Sequence, residues 1–256
     1  MTTSTILVTG GTGTLGRLVV PMLREAGREV RVFSRQERES GDGVTYVTGD
    51  LLKDEGIEAA VEGAGIVLHL AGGAKGDDVA TRNLVRAARQ AGVGHLVYIS
   101  VIGTDRIPLG YFRAKLESER IVAESGLPWT TLRAAQFHDL ALTVVAKMTK
   151  LPLVPAPGGV RWQPVDAREV AARLVELTLG EPAGAVPDLA GPEVFELAEL
   201  SRSYLRATGR RRPMVPVRVP GGFGRAYRAG ENLVFDGAVT GRRTWEDFLA
   251  ERVGGR

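Results

Sequence analysis

The 256-residue sequence contains no cysteine. Disulfides, thiol nucleophiles and cysteine-based metal sites are therefore excluded. Histidine is nearly as scarce. His69, His95 and His138 are scattered without ligand spacing, which argues against a metal site. Aromatic residues make up only 6%, and none is interleaved with the one tight basic cluster, Arg210-Arg211-Arg212. That cluster reads as a solvated turn, and no nucleic-acid partner is expected. No apolar run approaches the ~18 residues needed to cross a bilayer, so no membrane partner is expected either. The first residues lack a basic n-region and an apolar h-region, which points to a cytoplasmic protein. There is no Gly-x-Ser-x-Gly elbow, which argues against a serine hydrolase.

Glycine, by contrast, is abundant, with 33 residues, close to double the usual share of about 7%. These glycines punctuate apolar segments, so they imply tight turns and close backbone approaches. With 44% hydrophobic residues, 25% charged residues and a net charge of +3, the chain has an ordinary globular composition.

The alternation of elements carries the fold. Ile6-Leu7-Val8 is a short apolar run ended by Thr9-Gly10-Gly11. Leu15, Leu18, Val19, Met22 and Leu23 then recur at helical spacing, and Gly27 stops the helix. Glu29–Ser34 alternates like a strand, which completes a βαβ unit. Strands follow at Val44–Gly49, Gly65–Gly73, His95–Ser100 and Pro128–Ala134, with helices between most of them. The expected fold is α/β, a doubly wound parallel sheet with a small mixed C-terminal subdomain. The division is expected near residue 150, giving 1–150 and 151–256, with elements around 160–190 returning to the first part. "AREVAARLVELTL" is an amphipathic helix, and "GAVPDLAGPE" suggests one more strand.

The turn "TGGTGTLG" (Thr9–Gly16) contains Gly11-x-Gly13-x-x-Gly16 between a strand and a helix. Glycines there let the backbone approach a pyrophosphate, and the helix N-terminus supplies N–H donors. No Gly-Lys-Ser/Thr follows, so a P-loop is disfavoured. Gly10, Thr12, Gly13, Thr14, Leu15 and Gly16 are the candidate phosphate-binding residues. After the second strand stands Ser34-Arg35, where an acid would bind a ribose 2′-hydroxyl. Arg35 can pair with a 2′-phosphate and Ser34 can add a hydrogen bond, so NADP(H) is expected over NAD(H). Asp50 and Leu51 follow the third strand, and Ala71, Gly72 and Gly73 follow the fourth. Both groups fall at strand C-termini, where open α/β sheets bind ligands.

The pieces "VTGGTGTLG", "FSR", "GDL", "LAGG", "VYIS", "YFRAKLESE", "LRAAQFHD" and "WQPVDAREVA" together resemble the short-chain dehydrogenase/reductase superfamily, in its atypical NmrA-like NAD(P)-binding branch. The resemblance spans about residues 5–172. It implies a Rossmann domain and a small C-terminal substrate subdomain. It also implies catalytic roles at Ser100, Tyr111 and Lys115: Tyr111 as general acid/base, Lys115 on the nicotinamide ribose, and Ser100 polarising a carbonyl. Tyr and Lys four apart share a helix face, and an ammonium beside a phenol favours the phenolate. Gln136, Phe137 and His138, just past the sixth strand, are the expected substrate-pocket residues. The function so implied is NADPH-dependent reduction of a small carbonyl, quinone or related acceptor. The alternative is a non-catalytic dinucleotide-binding redox sensor acting through a protein partner, since the branch contains such members.

Overall fold

The computed structural model describes residues 5–73 and 75–253. The chain begins with β1 (Thr5–Thr9), α1 (Gly16–Glu25), β2 (Val30–Ser34), β3 (Val44–Thr48), α2 (Ile57–Val61) and β4 (Ala64–His69). It continues through α3 (Asp77–Gln90), β5 (His95–Val101), α4 (Gly110–Ala123), β6 (Trp129–Ala134), α5 (His138–Met148), β7 (Val154–Pro157) and β8 (Arg161–Trp162). Next come α6 (Ala167–Leu179), β9 (Gly184–Ala185), β10 (Leu189–Ala190), β11 (Phe195–Glu196) and α7 (Leu197–Ala207). The described chain ends with β12 (Met214–Val217), α8 (Gly221–Ala229), β13 (Val239–Thr240) and α9 (Trp245–Val253).

The main sheet has nine strands in the order β13-β10-β6-β5-β4-β1-β2-β3, with β9 also paired to β6. Its first six strands thus run 3-2-1-4-5-6, the doubly wound Rossmann order. β1 lies between β2 and β4, both parallel to it, with Val8 opposite Val32 on one side and Leu68 on the other. The order reverses between β1 and β4, so a crevice opens beyond their C-terminal ends.

The chain forms two compact units. The first comprises residues 1–100, 113–132 and 170–186, and the second comprises 101–112, 133–169 and 187–256. The return of 170–186 to the first unit lies within the stretch expected to return, whereas 101–112 and 133–150 fall in the second unit and not in the first. The chain crosses several times because α6 and β9 supply Val170–Val186 to the first unit, while the stretch after Ala134 already belongs to the second.

In the first unit Leu7, Phe33, Ile57, Val67, Leu84 and Leu96 pack into one apolar cluster. α3 contributes its Leu84, Ala87 and Ala88 face. It carries Asp77 and Asp78 in its first turn and Arg89 in its last, as the helix dipole favours. In the second unit Trp245, Phe248, Trp162, Tyr227, Leu200 and Val145 form a separate cluster. That unit also holds a two-stranded parallel ribbon, β12 on β7, and a short antiparallel pair, β11 on β8. Among the described residues no helix is long and apolar enough to cross a membrane.

Candidate cofactor site

The glycine turn is folded hard against its surroundings. Gly10 has φ +69°, and a Cβ there would lie 2.7 Å from the Ala71 amide nitrogen. A Cβ on Gly16 would lie 2.3 Å from the Gly11 Cα, so only glycine lets α1 start this close to β1. The Gly13 amide donates to the Gly10 carbonyl at 2.9 Å, and Arg17 Nε donates to the Thr12 carbonyl at 2.9 Å. A Cβ on Gly13 would meet only the Gly10 oxygen, at 3.3 Å, so the space above the turn is open. A cleft of about 890 Å³ lies there.

Of the expected cofactor residues, Gly10, Thr12, Gly13, Ser34, Arg35, Asp50, Leu51, Ala71, Gly72 and Gly73 line this cleft. Thr14, Leu15, Gly16 and Lys115 do not: Leu15 and Gly16 are buried under the turn, and Lys115 is buried as well. The cleft also takes Arg17, Gln36, Arg38 and Asp77, which the sequence motifs did not single out. Arg17 and Arg38 lie one and three residues beyond Gly16 and Arg35 respectively, within reach of a closer reading. Asp77, in the first turn of α3, carries no motif of its own. At the end of β2, the Ser34 hydroxyl accepts from the Gln36 amide at 3.2 Å. Asp50 accepts from the Leu52 amide at 2.9 Å, which closes the turn after β3.

The fourth strand end is held by a buried relay. The Ala71 amide donates to Thr9 Oγ1 at 3.2 Å, and Thr9 Oγ1 lies 2.7 Å from His69 Nδ1. His69 Nε2 lies 3.0 Å from Thr81 Oγ1, which donates to the Asp77 carbonyl at 2.7 Å. With the Thr81 proton on the Asp77 carbonyl or on Ser118 Oγ, the His69 ring donates from Nε2 and accepts at Nδ1. Burial, and then the nearby Lys115 charge, holds the His69 pKa down to about 3, so the ring is neutral.

Lys115 is 5% exposed. Its ammonium lies 3.2 Å from Asp77 Oδ2 and sits 5.0 Å from the centre of the Tyr98 ring. The other Asp77 oxygen accepts from the Gly73 amide at 2.6 Å. A Cβ on Gly72 would meet Lys115 Nζ at 3.3 Å, so the ammonium lies directly under the Gly72-Gly73 turn of the cleft.

The remaining expected site residues fall differently. Ser100 Oγ donates to Glu119 Oε1 at 2.5 Å, so its one proton is directed at that carboxylate and not toward an acceptor carbonyl. Tyr111 lies in the first turn of α4, is 38% exposed, and meets the Phe112 ring edge-on with centroids 5.4 Å apart. Tyr111 belongs to the second unit, whereas Ser100 and Lys115 belong to the first. In the second unit Gln136 is buried, and Phe137 bridges to Val165. His138 is fully buried, with ring centroids 5.8 Å from Trp245 and 5.2 Å from Phe248. The first turn of α5 directs its ring into the aromatic core. Burial lowers its pKa against the pull of Asp166. Among the described residues no cluster of three or more His, Asp or Glu could hold a metal ion.

A protein family described as NAD(P)H-binding matches residues 10–178. A (4-alkanoyl-5-oxo-2,5-dihydrofuran-3-yl)methyl phosphate reductase of Streptomyces griseus is 31% identical over 212 residues, which are 80% of this chain and 74% of that protein. An NAD(P)H azoreductase of Xenophilus azovorans is 31% identical over 217 residues, with the same coverage of each. A solved NADPH-dependent quinone oxidoreductase of Escherichia coli, in complex with NADPH, shares the fold at a TM-score of 0.82 with 20% identity, covering 96% of this chain and 99% of that one. The chain therefore belongs to the NAD(P)H-binding family. It is an NAD(P)-binding protein of the oxidoreductase class. A nicotinamide dinucleotide fits the residues present, since the turn leaves open space above Gly13 and the cleft runs from the arginines after β2 to the Gly72-Gly73 turn and Asp77.

Proposed function

We propose that the protein is an NADPH-dependent reductase of a small quinone, carbonyl or related acceptor. The observation that carries this reading is the charge of the cleft at the end of β2. Arg35 and Arg38 both line it, and no carboxylate follows Ser34 until Glu37, which does not line it. Two guanidinium groups suit a ribose 2′-phosphate, whereas a 2′-hydroxyl calls for an acid. The relatives named as azoreductase, quinone oxidoreductase and furanone-phosphate reductase support a conjugated acceptor.

When bound, the reduced nicotinamide supplies a hydride. Lys115 is proposed to hold the nicotinamide ribose, and Asp77 to position Lys115 and the Gly73 amide together. Tyr111 is proposed as the group that donates the proton, which with the hydride makes a hydroquinone from a quinone or an alcohol from a carbonyl. Gln136 and Phe137 are proposed substrate contacts. Ser100, with its proton on Glu119, is proposed as the tie between the end of β5 and α4.

The test is NADPH and NADH oxidation against a panel of quinones, aldehydes and ketones. Turnover that prefers NADPH, falls in Arg35→Ala/Arg38→Ala, and falls with carbonyl acceptors in Tyr111→Phe is expected. Full turnover by Tyr111→Phe on every acceptor would remove Tyr111 from the mechanism.

A second reading, a redox sensor acting through a protein partner, is favoured by one observation. Ser100 and Lys115 both have anionic partners within the chain, at Glu119 and Asp77. A sensor requires unequal affinity for reduced and oxidised cofactor, because a ligand shifts states only through differential affinity. Equal affinities together with steady turnover would discard it.

A further inference from the structure

Charge in the second unit is distributed very unevenly. Between Asp139 and Asp166 the chain has three cations and no acid, and between Glu199 and Glu231 it has eight arginines and no acid. The fold brings these two stretches together. β12 pairs in parallel with β7, Met214 opposite Val154 and Val217 opposite Pro157. The Val154 amide donates to the Pro213 carbonyl at 2.9 Å. The segments leading into the two strands therefore emerge side by side, Lys150–Leu153 next to Arg210–Pro213.

Lys147, Lys150, Arg210, Arg211, Arg212 and Arg218 are all exposed. Among the described residues none of them makes an ion pair, while Arg168 and Arg243 in the same unit share Asp166 and Glu251. Helix-dipole complementation accounts for Lys147, in the last turn of α5. It does not account for Arg210–Arg212, which lie beyond the end of α7 at Thr208. Large aliphatic side chains stand on the same ribbon: Leu151 is 49% exposed, Leu153 56%, Val215 40% and Val217 38%.

We propose that this ribbon is a peripheral docking surface for an anionic phospholipid membrane. The cations meet a negatively charged headgroup layer, to which each Lys or Arg adds an attraction that decays within a Debye length. The leucines and valines enter the boundary between headgroups and acyl chains. Exposed aliphatic groups beside the cations select a lipid surface over nucleic acid, whose recognition would use aromatic stacking or base-edge contacts. Hydropathy along the chain could not reveal this surface, because the apolar groups are few and become contiguous only through the β7–β12 pairing. The surface does not depend on the reductase reading.

The test is co-sedimentation of the full chain with vesicles of phosphatidylcholine alone and of phosphatidylcholine with phosphatidylglycerol, at low and high salt. Duplex DNA and polyglutamate serve as competitors. The expected result is a partition coefficient at least about tenfold higher on the anionic vesicles, abolished by high salt. Arg211→Glu/Arg212→Glu should lose that binding, and Leu151→Ser/Leu153→Ser should weaken it, while both variants titrate NADPH as the parent does. Equal partition onto both vesicle types, binding unchanged in Arg211→Glu/Arg212→Glu, or tighter binding to DNA or polyglutamate than to anionic vesicles at the same salt would overturn the proposal.

Discussion

Lys115 in the first unit and Arg210–Arg212 in the second are cations in opposite circumstances. Lys115 is buried, 3.2 Å from Asp77, and shares that aspartate with the Gly73 amide. The arginines are exposed and, among the described residues, are ion-paired to nothing. A buried charge must be matched within the chain, because desolvation costs several kcal/mol per ion. An exposed one is matched by water and salt, so stability alone does not dictate its place. The first arrangement therefore fixes geometry in a cleft, and the second leaves a field available to something outside the molecule.

The comparison makes unequal predictions. Asp77→Asn strands the Lys115 ammonium in the interior. It should cost about 3–5 kcal/mol of unfolding free energy in denaturant titrations. Asp77→Leu/Lys115→Met, which removes both charges, should recover most of that stability while cofactor affinity stays low. If the double variant binds NADPH as the parent does, Lys115 has no part in the site. Next in size, Arg35→Ala/Arg38→Ala removes charge-assisted contacts of about 1.5–3 kcal/mol each. Calorimetry should show NADPH affinity reduced by roughly tenfold or more, with NADH affinity nearly unchanged.

In the first unit burial lowers the pKa of both His69 and His95, and His69 has the large shift. Its folded pKa of about 3 lies below the ordinary histidine value, so the unfolded chain binds the extra proton first. Stability from this group is complete above about pH 6.5 and is lost as pH falls toward 3. The slope is about 1.4 kcal/mol per pH unit. Melting curves should show stability falling from pH 7 downward and approaching this slope near pH 5, and His69→Gln should flatten the fall.

In the second unit, burial pushes the Asp166 carboxyl up, but hydrogen bonds from Arg168 and Arg243 outweigh burial and bring it down to about 2. Its contribution therefore persists above the ordinary carboxylate value and is lost as pH falls from there toward about 2. The smallest effect on stability is expected for Arg211→Glu/Arg212→Glu, within about 0.5 kcal/mol of the parent. A larger loss would mean that these arginines have partners inside the fold.

The sequence made the first unit legible because its signals are local. A glycine turn between a strand and a helix, Gly27 and Gly92 at positive φ after their helices, and alternating apolar strands each act over a few residues. Helix α6 was readable for the same reason. Four features were hidden because they depend on distant pairings. Asp77 becomes a site residue only when α3 meets α4 at Lys115. Ser100 is committed to Glu119, nineteen residues on. His138 stands beside a carboxylate in sequence, yet packs against Trp245 and Phe248 from α9. The β7–β12 ribbon joins segments sixty residues apart, Val154 to Met214, so neither its charge nor its apolar face was visible as one surface.

The central claim is that the arginine-lined cleft of the first unit selects NADPH for reduction. Calorimetric titration of NADPH and NADH into the parent protein and into Arg35→Ala/Arg38→Ala tests it most directly. Tighter binding of NADPH by the parent, with the preference collapsing in the variant, is the predicted result. Equal or tighter binding of NADH by the parent would contradict it.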